Sequence, residues 1–359
     1  MDIDAFEYFE IVRLVGRKYG SVIIMVIVFR VDSSTVIGSG HLMRCLTLAK
    51  QMEKEDNSEI FFICRDLSGN MSSLVVKHGF QLILLPPKKY SKRLDGYLEW
   101  LTVSQEEDAE DTINAIRTNE SLGNISMIVV DSYAIDITWE RALRPYTKKI
   151  YVIDDLANRK HDCDIFLDQD YYSDKASYHS LVPSGCKMLL GHQYAPLRDE
   201  FYEAKKILRK RTGIIKNVLI FYGGSDITDE TVKTIMAIDP LVKKYDLSVH
   251  VVVGENNKSQ KKIKRICEKT SNYKYYCRVN NMAQLMSLAD ISFSAGGITM
   301  WECNYLELPV LVTAVSDNQI KICEECSKQG IIDYLGESAN VTEKDIFTSF
   351  KKYLDGNKS

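Results

Sequence analysis

Residues 22–49 read VIIMVIVFRVDSSTVIGSGHLMRCLTLA, an apolar run followed by a polar turn with two glycines and then an amphipathic stretch. The run from Val22 to Phe29 is rich in β-branched residues and far shorter than the roughly 20 residues that a membrane-spanning helix needs. Acidic residues before it and the lack of a small-residue cleavage site after it disfavour a signal peptide. Apolar side chains then recur at helical spacing, at Leu42, Cys45, Leu46 and Ala49. The stretch therefore predicts a buried parallel strand, a turn and a helix.

Short apolar runs continue to alternate with helical patterns along the chain. In the first half the predicted strands are Val22–Phe29, Ile60–Cys64, Gln81–Leu85, Met127–Val130, Lys149–Ile153 and Ile165–Leu167, with helices that include Leu42–Glu53 and Thr138–Pro145. A second series of predicted strands comprises Val218–Tyr222, Ser248–Val253, Lys274–Tyr276, Asp290–Ser294 and Val310–Val312. This alternation predicts an α/β protein with doubly wound parallel sheets.

The length of the chain favours two domains, because a single core stops growing at about 250–300 residues and this chain has 359. We expect an N-terminal extension over residues 1–24, an N-terminal Rossmann-like domain over 25–195, a linker over 196–214 and a C-terminal Rossmann-like domain over 215–359. The linker is rich in Lys and Arg. It could contact phosphate, but a solvated helix is the favoured interpretation. A ligand would bind at the carboxyl ends of the strands, in a cleft between the lobes.

Composition excludes several classes of function. The net charge of -3 argues against a nucleic-acid-binding surface. Nine cysteines at irregular spacing predict no disulfide framework, and therefore a reducing, cytoplasmic compartment. Cys323 and Cys326 form one C-x-x-C with no second pair, so we expect them on a plain helix and not at a zinc site.

The turn in the first stretch holds the strongest catalytic candidate. Gly38 and Gly40 allow the backbone to turn tightly and to approach a ligand closely. His41 falls in the first turn of the predicted helix, where the positive end of the helix dipole favours a neutral imidazole. A neutral imidazole suits a general base. A histidine that merely caps the helix fits the same pattern equally well.

Two further segments of the first half carry weaker candidates. Tyr133 follows a predicted strand and could offer its hydroxyl to a substrate, although packing on its own sheet is favoured by the pattern alone. Asp154 and Asp155 lie at the end of the next predicted strand and could hold a divalent metal. Carboxylates in this position more often cap a helix or pair with an arginine such as Arg159.

The second half contains two glycine pairs, each between a predicted strand and a helical pattern. Gly223 and Gly224 form the first pair, and Gly296 and Gly297 the second. Free amides at a helix N-terminus bind anions, although the P-loop spacing is absent. Glu302 falls in the first or second turn of the following helix, where it could accept both ribose hydroxyls or merely interact with the helix dipole. Together with the turn at Gly38, these loops predict a diphosphate-containing ligand.

The order of these motifs resembles the UDP-2,4-diacetamido-2,4,6-trideoxy-β-L-altropyranose hydrolases of pseudaminic acid biosynthesis and flagellin glycosylation. The resemblance rests on Arg30-Val-Asp-Ser-Ser34, Gly38-Ser-Gly-His-Leu-Met-Arg44, Asp131-Ser-Tyr133, Ile153-Asp-Asp-Leu-Ala-Asn-Arg159, His161-Asp-Cys-Asp164, Leu167-Asp-Gln169, Gly223-Gly-Ser-Asp226, Gly296-Gly-Ile-Thr-Met-Trp-Glu302 and Asn318-Gln319. These motifs extend from about residue 25 to 330. The sequence departs from the family at Ser132 and Ile298, which could alter sugar specificity.

What the resemblance implies is a GT-B-like fold of the MurG type, with UDP bound mainly by the C-terminal lobe. It implies inverting hydrolysis at the anomeric carbon by a cytoplasmic monomer, without metal or cofactor, with His41 activating the water. Nucleic acid and membrane are not expected partners. The expected substrate-binding residues are Gly38, Gly40, Arg44, Tyr133, Gly223, Gly224, Gly296, Gly297, Glu302, Asn318 and Gln319. A UDP-sugar glycosyltransferase, a spore-coat polysaccharide protein of the same superfamily and a non-catalytic nucleotide-sugar sensor remain as alternatives.

Overall fold

The structure is a computed structural model that describes residues 25–56, 58–88, 96–169 and 178–356. The extension predicted over residues 1–24 lies outside the described residues. The chain divides into two compact units, which we call the N-terminal lobe, ending at Pro196, and the C-terminal lobe, beginning at Leu197. The domain limits taken from the sequence stay predictions.

Within its described residues, the N-terminal lobe contains a seven-stranded sheet in the order β3-β2-β1-β4-β5-β6-β7, with parallel pairing throughout. Its strands are β1 (Val26–Val31), β2 (Glu59–Arg65), β3 (Gln81–Leu85), β4 (Ile125–Asp131), β5 (Ile150–Ile153), β6 (Ile165–Asp168) and β7 (Lys187–Leu190). Its helices are α1 (Gly40–Asp56), α2 (Ser73–Lys77), α3 (Gln105–Thr118) and α4 (Ile137–Leu143), with short 3-10 helices at Gly96–Trp100, Glu120–Leu122, Arg144–Tyr146 and His192–Tyr194.

The described part of the C-terminal lobe repeats this plan with six parallel strands in the order β10-β9-β8-β11-β12-β13. The strands are β8 (Asn217–Phe221), β9 (Ser248–Val253), β10 (Tyr273–Cys277), β11 (Ile291–Ala295), β12 (Val310–Ala314) and β13 (Asp333–Glu337). The helices are α5 (Asp199–Lys206), α6 (Glu230–Tyr245), α7 (Gln260–Cys267), α8 (Met282–Leu288), α9 (Ile298–Tyr305), α10 (Ile320–Lys328) and α11 (Glu343–Leu354), with a 3-10 helix at Asp317–Gln319.

Helices cover both faces of the N-terminal sheet, and the central strands β4 and β5 are therefore buried along their whole length. All seven residues of β4 and all four of β5 are buried, as expected of parallel strands between two helical layers. The apolar side chains of α1 pack in one core cluster, and those of α3 and α4 in another. These two clusters are the cores of a doubly wound sheet.

The strand orders place a topological switch point in each lobe. In the N-terminal lobe it lies between β1 and β4, and in the C-terminal lobe between β8 and β11. Open parallel sheets bind ligands beyond the carboxyl ends of the strands at such points. In the N-terminal lobe the turn at residues 32–39 follows β1 and Asp131 is the last residue of β4; in the C-terminal lobe one glycine pair follows β8 and the other follows β11. The fold thus brings the candidate residues of each lobe to one edge of its sheet.

The basic run predicted as a linker contains two arginines that cap helices of the C-terminal lobe. Arg209 donates to the carbonyl oxygens of residues 287–289 and to the carboxylate of Asp290. Arg211 donates to the carbonyl oxygens of Met286, Ala289 and Leu306. The last carbonyls of a helix have no partner within it, and these side chains supply one for α8 and α9. The first part of the run is helical, as predicted, in α5 (Asp199–Lys206), whereas these two arginines lie beyond that helix and bind backbone carbonyls.

The fold also bears on the C-x-x-C pair and on membrane-spanning helices. Cys323 and Cys326 lie buried on α10, so the plain-helix interpretation of the C-x-x-C is confirmed. Among the helices of the described ranges, none has the length and apolar character needed to cross a membrane.

Candidate functional site

The turn between β1 and α1 presents His41 at the start of a helix. Ser34 closes this turn, since its hydroxyl oxygen accepts the amides of Val36 and Ile37 and its carbonyl accepts the amide of Gly38 at 2.9 Å. Gly38 has a φ of +80°, which residues with a side chain rarely adopt. A Cβ atom on Gly40 would meet no atom within 4 Å, so the backbone here faces open space. The predicted place of His41 in the first helical turn is confirmed.

His41 is held by a carboxylate from the neighbouring strand of the switch point. Its Nδ1 lies 2.6 Å from Oδ1 of Asp131, the last residue of β4. Burial raises the pKa of Asp131, but the guanidinium of Arg44 and the imidazole of His41 hold it well below its usual range. An ionised carboxylate can only accept, so Nδ1 carries a proton, and in the neutral imidazole the lone pair is therefore on Nε2. This tautomer is the one that a general base at Nε2 requires.

Arg44, predicted to bind substrate, is directed at acidic groups of its own lobe. Its Nε and Nη2 donate to the two oxygens of Asp131 at 2.9 and 2.7 Å. Its Nη1 lies 3.5 Å from Asp155, and only 5% of the side chain is exposed. A guanidinium with all three nitrogens next to carboxylates has little left to offer a ligand. The geometry favours a role in keeping Asp131 ionised and in place.

Tyr133 stands beside the imidazole and not only on its own sheet. Its ring meets the ring of His41 edge to face, with centroids 4.7 Å apart. Its hydroxyl donates to Asp155 at 2.6 Å. Burial, with Asp155 adding to it, raises the pKa of Tyr133 well above its usual value, so the phenol stays protonated. Burial also raises the pKa of Asp155, against the opposing effect of Arg44.

A short 3-10 helix adds two aromatic residues that the sequence analysis missed. Trp100 lies 5.5 Å from His41 and 5.4 Å from Tyr133, measured between ring centroids. Tyr97 lies 4.9 Å from Trp100 and 5.0 Å from Tyr133. The His41 side chain keeps about a tenth of its surface exposed inside this group. No periodic pattern marks the segment, and only the local density of aromatic residues could have drawn attention to it.

The metal interpretation of Asp154 and Asp155 finds no support in their surroundings. The buried carboxylate of Asp154 lies 3.0 Å from Nη2 of Arg159 and 3.5 Å from Nε2 of His161. Both are ion-pair contacts without hydrogen-bond geometry. His161 in turn contacts Glu140 at 2.6 Å. The described residues contain no group of three or more His, Cys, Asp or Glu side chains arranged to hold a metal ion. The alternative of pairing with Arg159 is confirmed.

The glycine pair after β8 leaves backbone amides available. Gly223 has a φ of +84°. Among the described residues, the amides of Gly223, Gly224 and Ser225 have no hydrogen-bond acceptor. Asp226 is already engaged, because its carboxylate accepts the amides of Glu230 and Thr231 at 2.9 Å each and so caps α6. A loop of this kind, opening a helix, suits an anion.

The second glycine pair connects β11 to α9 and packs against the start of α10. A Cβ atom on Gly296 would lie 2.3 Å from Sγ of Cys323, so only glycine fits there. Gly297 is the N-terminal cap of α9, and a Cβ atom on it would come no nearer than 3.8 Å to Nε2 of Gln319. Gln319 is fixed by the amide of Val315, which donates to its Oε1 at 3.0 Å. The structure therefore brings Gln319 to this turn, while Oδ1 of Asn318 accepts the hydroxyl of Ser316 at 2.7 Å.

Glu302 lies in the second turn of α9 with a partner that the sequence analysis missed. Arg198 donates to its Oε1 at 3.1 Å, and 7% of the Glu302 side chain is exposed. Burial raises the pKa of Glu302, and Arg198 opposes this effect. The described residues supply no donor to Oε2. The ion pair thus holds the carboxylate in place and leaves one oxygen for other donors. Arg198 sits outside every motif, so no sequence signal singled it out.

Two doubly wound lobes of this strand order are those of the GT-B class. The structure superposes on the crystal structure of Acinetobacter baumannii MurG with a TM-score of 0.58 and 11% sequence identity, covering 93% of this chain and 95% of that chain. This likeness shows the fold, and the GT-B-like prediction is confirmed. Residues 218–338 match the glycosyltransferase family 28 C-terminal domain.

Proteins related in sequence indicate a narrower group than the fold does. The chain is 27% identical over 264 residues to a UDP-2,4-diacetamido-2,4,6-trideoxy-beta-L-altropyranose hydrolase of Campylobacter jejuni, covering 73% of this chain and 82% of that protein. It is 26% identical over 173 residues to the spore coat polysaccharide biosynthesis protein SpsG of Bacillus subtilis, covering 48% of this chain and 51% of that protein. The resemblance inferred from the motifs is therefore confirmed by direct comparison.

Proposed function

We propose that this protein hydrolyses UDP-2,4-diacetamido-2,4,6-trideoxy-β-L-altropyranose to UDP and 2,4-diacetamido-2,4,6-trideoxy-L-altrose, a step of pseudaminic acid biosynthesis. The Campylobacter relative supports the substrate, and the family 28 match supports a nucleotide-sugar site in the C-terminal lobe. The observation that carries the proposal is the contact of His41 with Asp131, since it directs the lone pair of the neutral imidazole to Nε2 at a turn built for close ligand approach.

In the proposed reaction His41 acts as the general base. Water is a poor nucleophile at neutral pH, and a positioned base accelerates its attack by about 10²–10⁴. Nε2 accepts the proton as the water oxygen bonds to the anomeric carbon. The imidazolium that forms lies against the carboxylate of Asp131, which stabilises the positive charge. Arg44 keeps that carboxylate ionised throughout.

The C-terminal lobe would bind UDP and stabilise it as the leaving group. The bond between the anomeric carbon and the phosphate oxygen breaks, and its electron pair leaves on the diphosphate. The amides at Gly223 and Gly224 and the N-terminus of α9 would stabilise that charge without a cation. Glu302 would accept ribose hydroxyls at Oε2. Because no covalent intermediate forms, the reaction inverts the anomeric configuration.

The decisive experiment incubates the purified protein with this UDP-sugar in ¹⁸O-labelled water and follows the products by NMR. The same reaction is measured after exhaustive EDTA treatment of the protein. We expect free sugar and UDP, with the label in the sugar and the product first appearing with inverted configuration. Label in UDP would mean attack at phosphorus and would refute the mechanism. Activity that is lost with EDTA and restored by magnesium would refute the metal-free reaction.

A UDP-sugar glycosyltransferase is the second candidate, and the family 28 match is the observation that favours it. A transferase needs an acceptor, so the same experiment separates the two functions. Turnover of the UDP-sugar in buffer alone supports the hydrolase. Turnover that requires an added sugar or lipid acceptor would identify a transferase.

We also propose a cytoplasmic monomer that acts on a small soluble substrate. The irregular cysteine spacing supports a reducing compartment, and the net charge of -3 disfavours nucleic acid as a partner. Light scattering of the purified protein should give the mass of one chain, and a mass twice as large would refute the monomer.

A further inference from the structure

Three aromatic residues form a surface beside His41 for which the proposed mechanism has no use. We call Tyr97, Trp100 and Tyr133 the aromatic wall. Their ring centroids are 4.9–5.4 Å apart, so the wall is continuous. Its Trp100 ring lies 5.5 Å from the imidazole of His41. The wall therefore borders the place where the base would meet a substrate.

Two members of the wall are not simply parts of the core. Tyr133 is buried, but Tyr97 and Trp100 are half-buried, and the residues between and before them are exposed. Trp100 rests with one side against the core cluster that lies on the α3 and α4 side of the sheet. Partly exposed rings leave apolar surface in water, and a ligand that covers this surface gains the corresponding burial energy.

The wall also offers a hydrogen-bond donor. Among the described residues, Nε1 of Trp100 has no acceptor, and the side chain is not fully buried. By contrast, Nε1 of Trp139, in the core, donates to Asp108 at 3.0 Å. An indole N–H normally finds a partner when it is buried. A ligand that reaches Trp100 therefore does best with an acceptor and an apolar group side by side.

An acetamido group places an acceptor beside an apolar group, because its carbonyl oxygen and its methyl group are attached to the same carbon. We propose that the aromatic wall binds the acetamido group on carbon 2 of the sugar, with Trp100 Nε1 donating to its carbonyl oxygen and the rings of Tyr97 and Trp100 receiving its methyl. This inference rests on the proposed function, in which His41 delivers water to carbon 1. Carbon 2 is the neighbour of carbon 1, and its acetamido methyl reaches about 4–5 Å from carbon 1 by ordinary bond lengths. The Trp100 ring, whose centroid lies 5.5 Å from that of His41, borders the same space.

The wall then sets the substrate class as UDP-sugars with an acetamido group at carbon 2. A hydroxyl in its place is too short to reach the indole N–H and leaves the rings uncovered. Sites built to hydrogen-bond a substrate group reject analogues that lack it more strongly than apolar pockets discriminate by size. We therefore expect selectivity at carbon 2 that is independent of UDP binding.

The test measures binding by calorimetry with UDP-N-acetylglucosamine and UDP-glucose, two probes that differ only at carbon 2. The wild-type protein should bind the acetamido probe at least about tenfold more tightly. Trp100→Phe keeps a ring but removes the N–H, and should lower this ratio to about two or less while the Kd of UDP stays unchanged. Tyr146→Phe is the control, since Tyr146 belongs to the same lobe but contacts Arg117 and not the wall, and it should preserve the wild-type ratio.

Equal affinity of the wild-type protein for the two probes would overturn the proposal, as would a Trp100→Phe protein with the wild-type ratio. Urea unfolding of each variant shows whether the N-terminal lobe is folded, since UDP binding reports on the C-terminal lobe. If Trp100→Phe does not fold, the wild-type protein is tested with UDP-N-formylglucosamine, which lacks only the methyl. Binding as tight as that of the acetyl probe would then refute the methyl contact. If the protein selects the acetamido probe but does not hydrolyse the proposed substrate, the proposed function is refuted and acetamido binding by the aromatic wall stands. If it hydrolyses the substrate without this selectivity, only acetamido binding by the aromatic wall is refuted.

Discussion

At the scale of single residues, the candidate base depends on partners that are distant in sequence. His41 could be predicted because two glycines and a helix start surround it in one short stretch. Asp131 is 90 positions away, and only the pairing of β1 with β4 brings it to Nδ1. The same pairing explains why Arg44 is directed at carboxylates, although its position in the motif predicts a ligand contact.

Replacing His41 with Asn should remove the base and leave the nucleotide site intact. We expect kcat to fall by at least about 10², because the proton transfer stabilises the transition state more than the bound substrate. Steady-state kinetics with the proposed substrate measures this, and calorimetry with UDP should show nearly unchanged affinity. A variant that keeps most of its kcat would mean that another group activates the water.

Asp131→Asn should be almost as harmful, although this residue does not touch the water. The amide can offer an N–H to Nδ1, which favours the tautomer with the proton on Nε2 and removes the base. We expect kcat to fall by about 10² or more, with unchanged UDP affinity. Asp155→Asn is the comparison, because Asp155 contacts Tyr133 and Arg44 instead of the His41 nitrogen. A larger loss in Asp155→Asn than in Asp131→Asn would contradict the proposed orientation of His41.

Glu302→Ala should weaken UDP binding by about 1–3 kcal/mol, the usual cost of leaving hydrogen-bonding partners unpaired. The control is Glu307→Ala in the same lobe, whose carboxylate is exposed and pairs with Lys205. That variant should bind UDP like the wild-type protein. Calorimetry distinguishes the two, and an unchanged affinity in Glu302→Ala would show that the ribose is bound elsewhere.

At the scale of elements, the strands were predictable where several apolar residues follow one another in the sequence. β3 and β9 begin and end at the predicted residues, and β1 is shifted to Val26–Val31 from the predicted Val22–Phe29, whose first residues lie outside the described part. The sequence analysis missed β7 and β13. Both are edge strands of their sheets, and most of their residues are half-buried or exposed. Edge position alone is not the reason, because β3 is also an edge strand and was predicted from its four successive apolar residues, whereas β7 has only three and β13 only two.

The turn between β11 and α9 gives a prediction about packing between elements. In Gly296→Ala the new methyl would clash with Sγ of Cys323, so either α10 or the turn must shift. We expect the free energy of unfolding to fall by about 1–3 kcal/mol, as for overpacked cores. Gly297→Ala is the matched control, since its methyl has room and its φ of -135° suits any residue. Denaturant unfolding measures both, and equal stability of the two variants would contradict the packing described.

At the scale of the whole molecule, the two lobes share a strand order, and both bury charged side chains. The N-terminal lobe buries ionic groups, such as Asp108 with Arg30 and Arg65, and Glu140 with His161. The doubly wound plan could be read from the alternation of apolar and helical stretches. The buried networks could not, because their members come from separate elements. Removing one partner of such a network leaves an uncompensated buried charge.

His161 makes the stability of the molecule depend on pH. Burial lowers its pKa, but Asp154 and Glu140 raise it more strongly, to about 9. The value in an unfolded chain is about 6.5. A raised folded pKa means that the stabilisation is fully present below about pH 6.5 and is lost as the pH rises through about 9. By this linkage the charged imidazole contributes up to about 3 kcal/mol at low pH.

We predict that the wild-type protein and His161→Gln differ in free energy of unfolding by an amount that depends on pH. The variant leaves two buried carboxylates without this cation and should be less stable at pH 6.5. The gap in free energy of unfolding should then narrow between pH 6.5 and pH 9, because the wild-type imidazole loses its charge there and the variant has none to lose. Urea unfolding of both proteins across this range measures it. Cysteine thiols of the unfolded chain also titrate at about pH 8.5, but they are common to both proteins and cancel in the difference. A gap that stays constant over the range would mean that His161 is neutral in the folded protein.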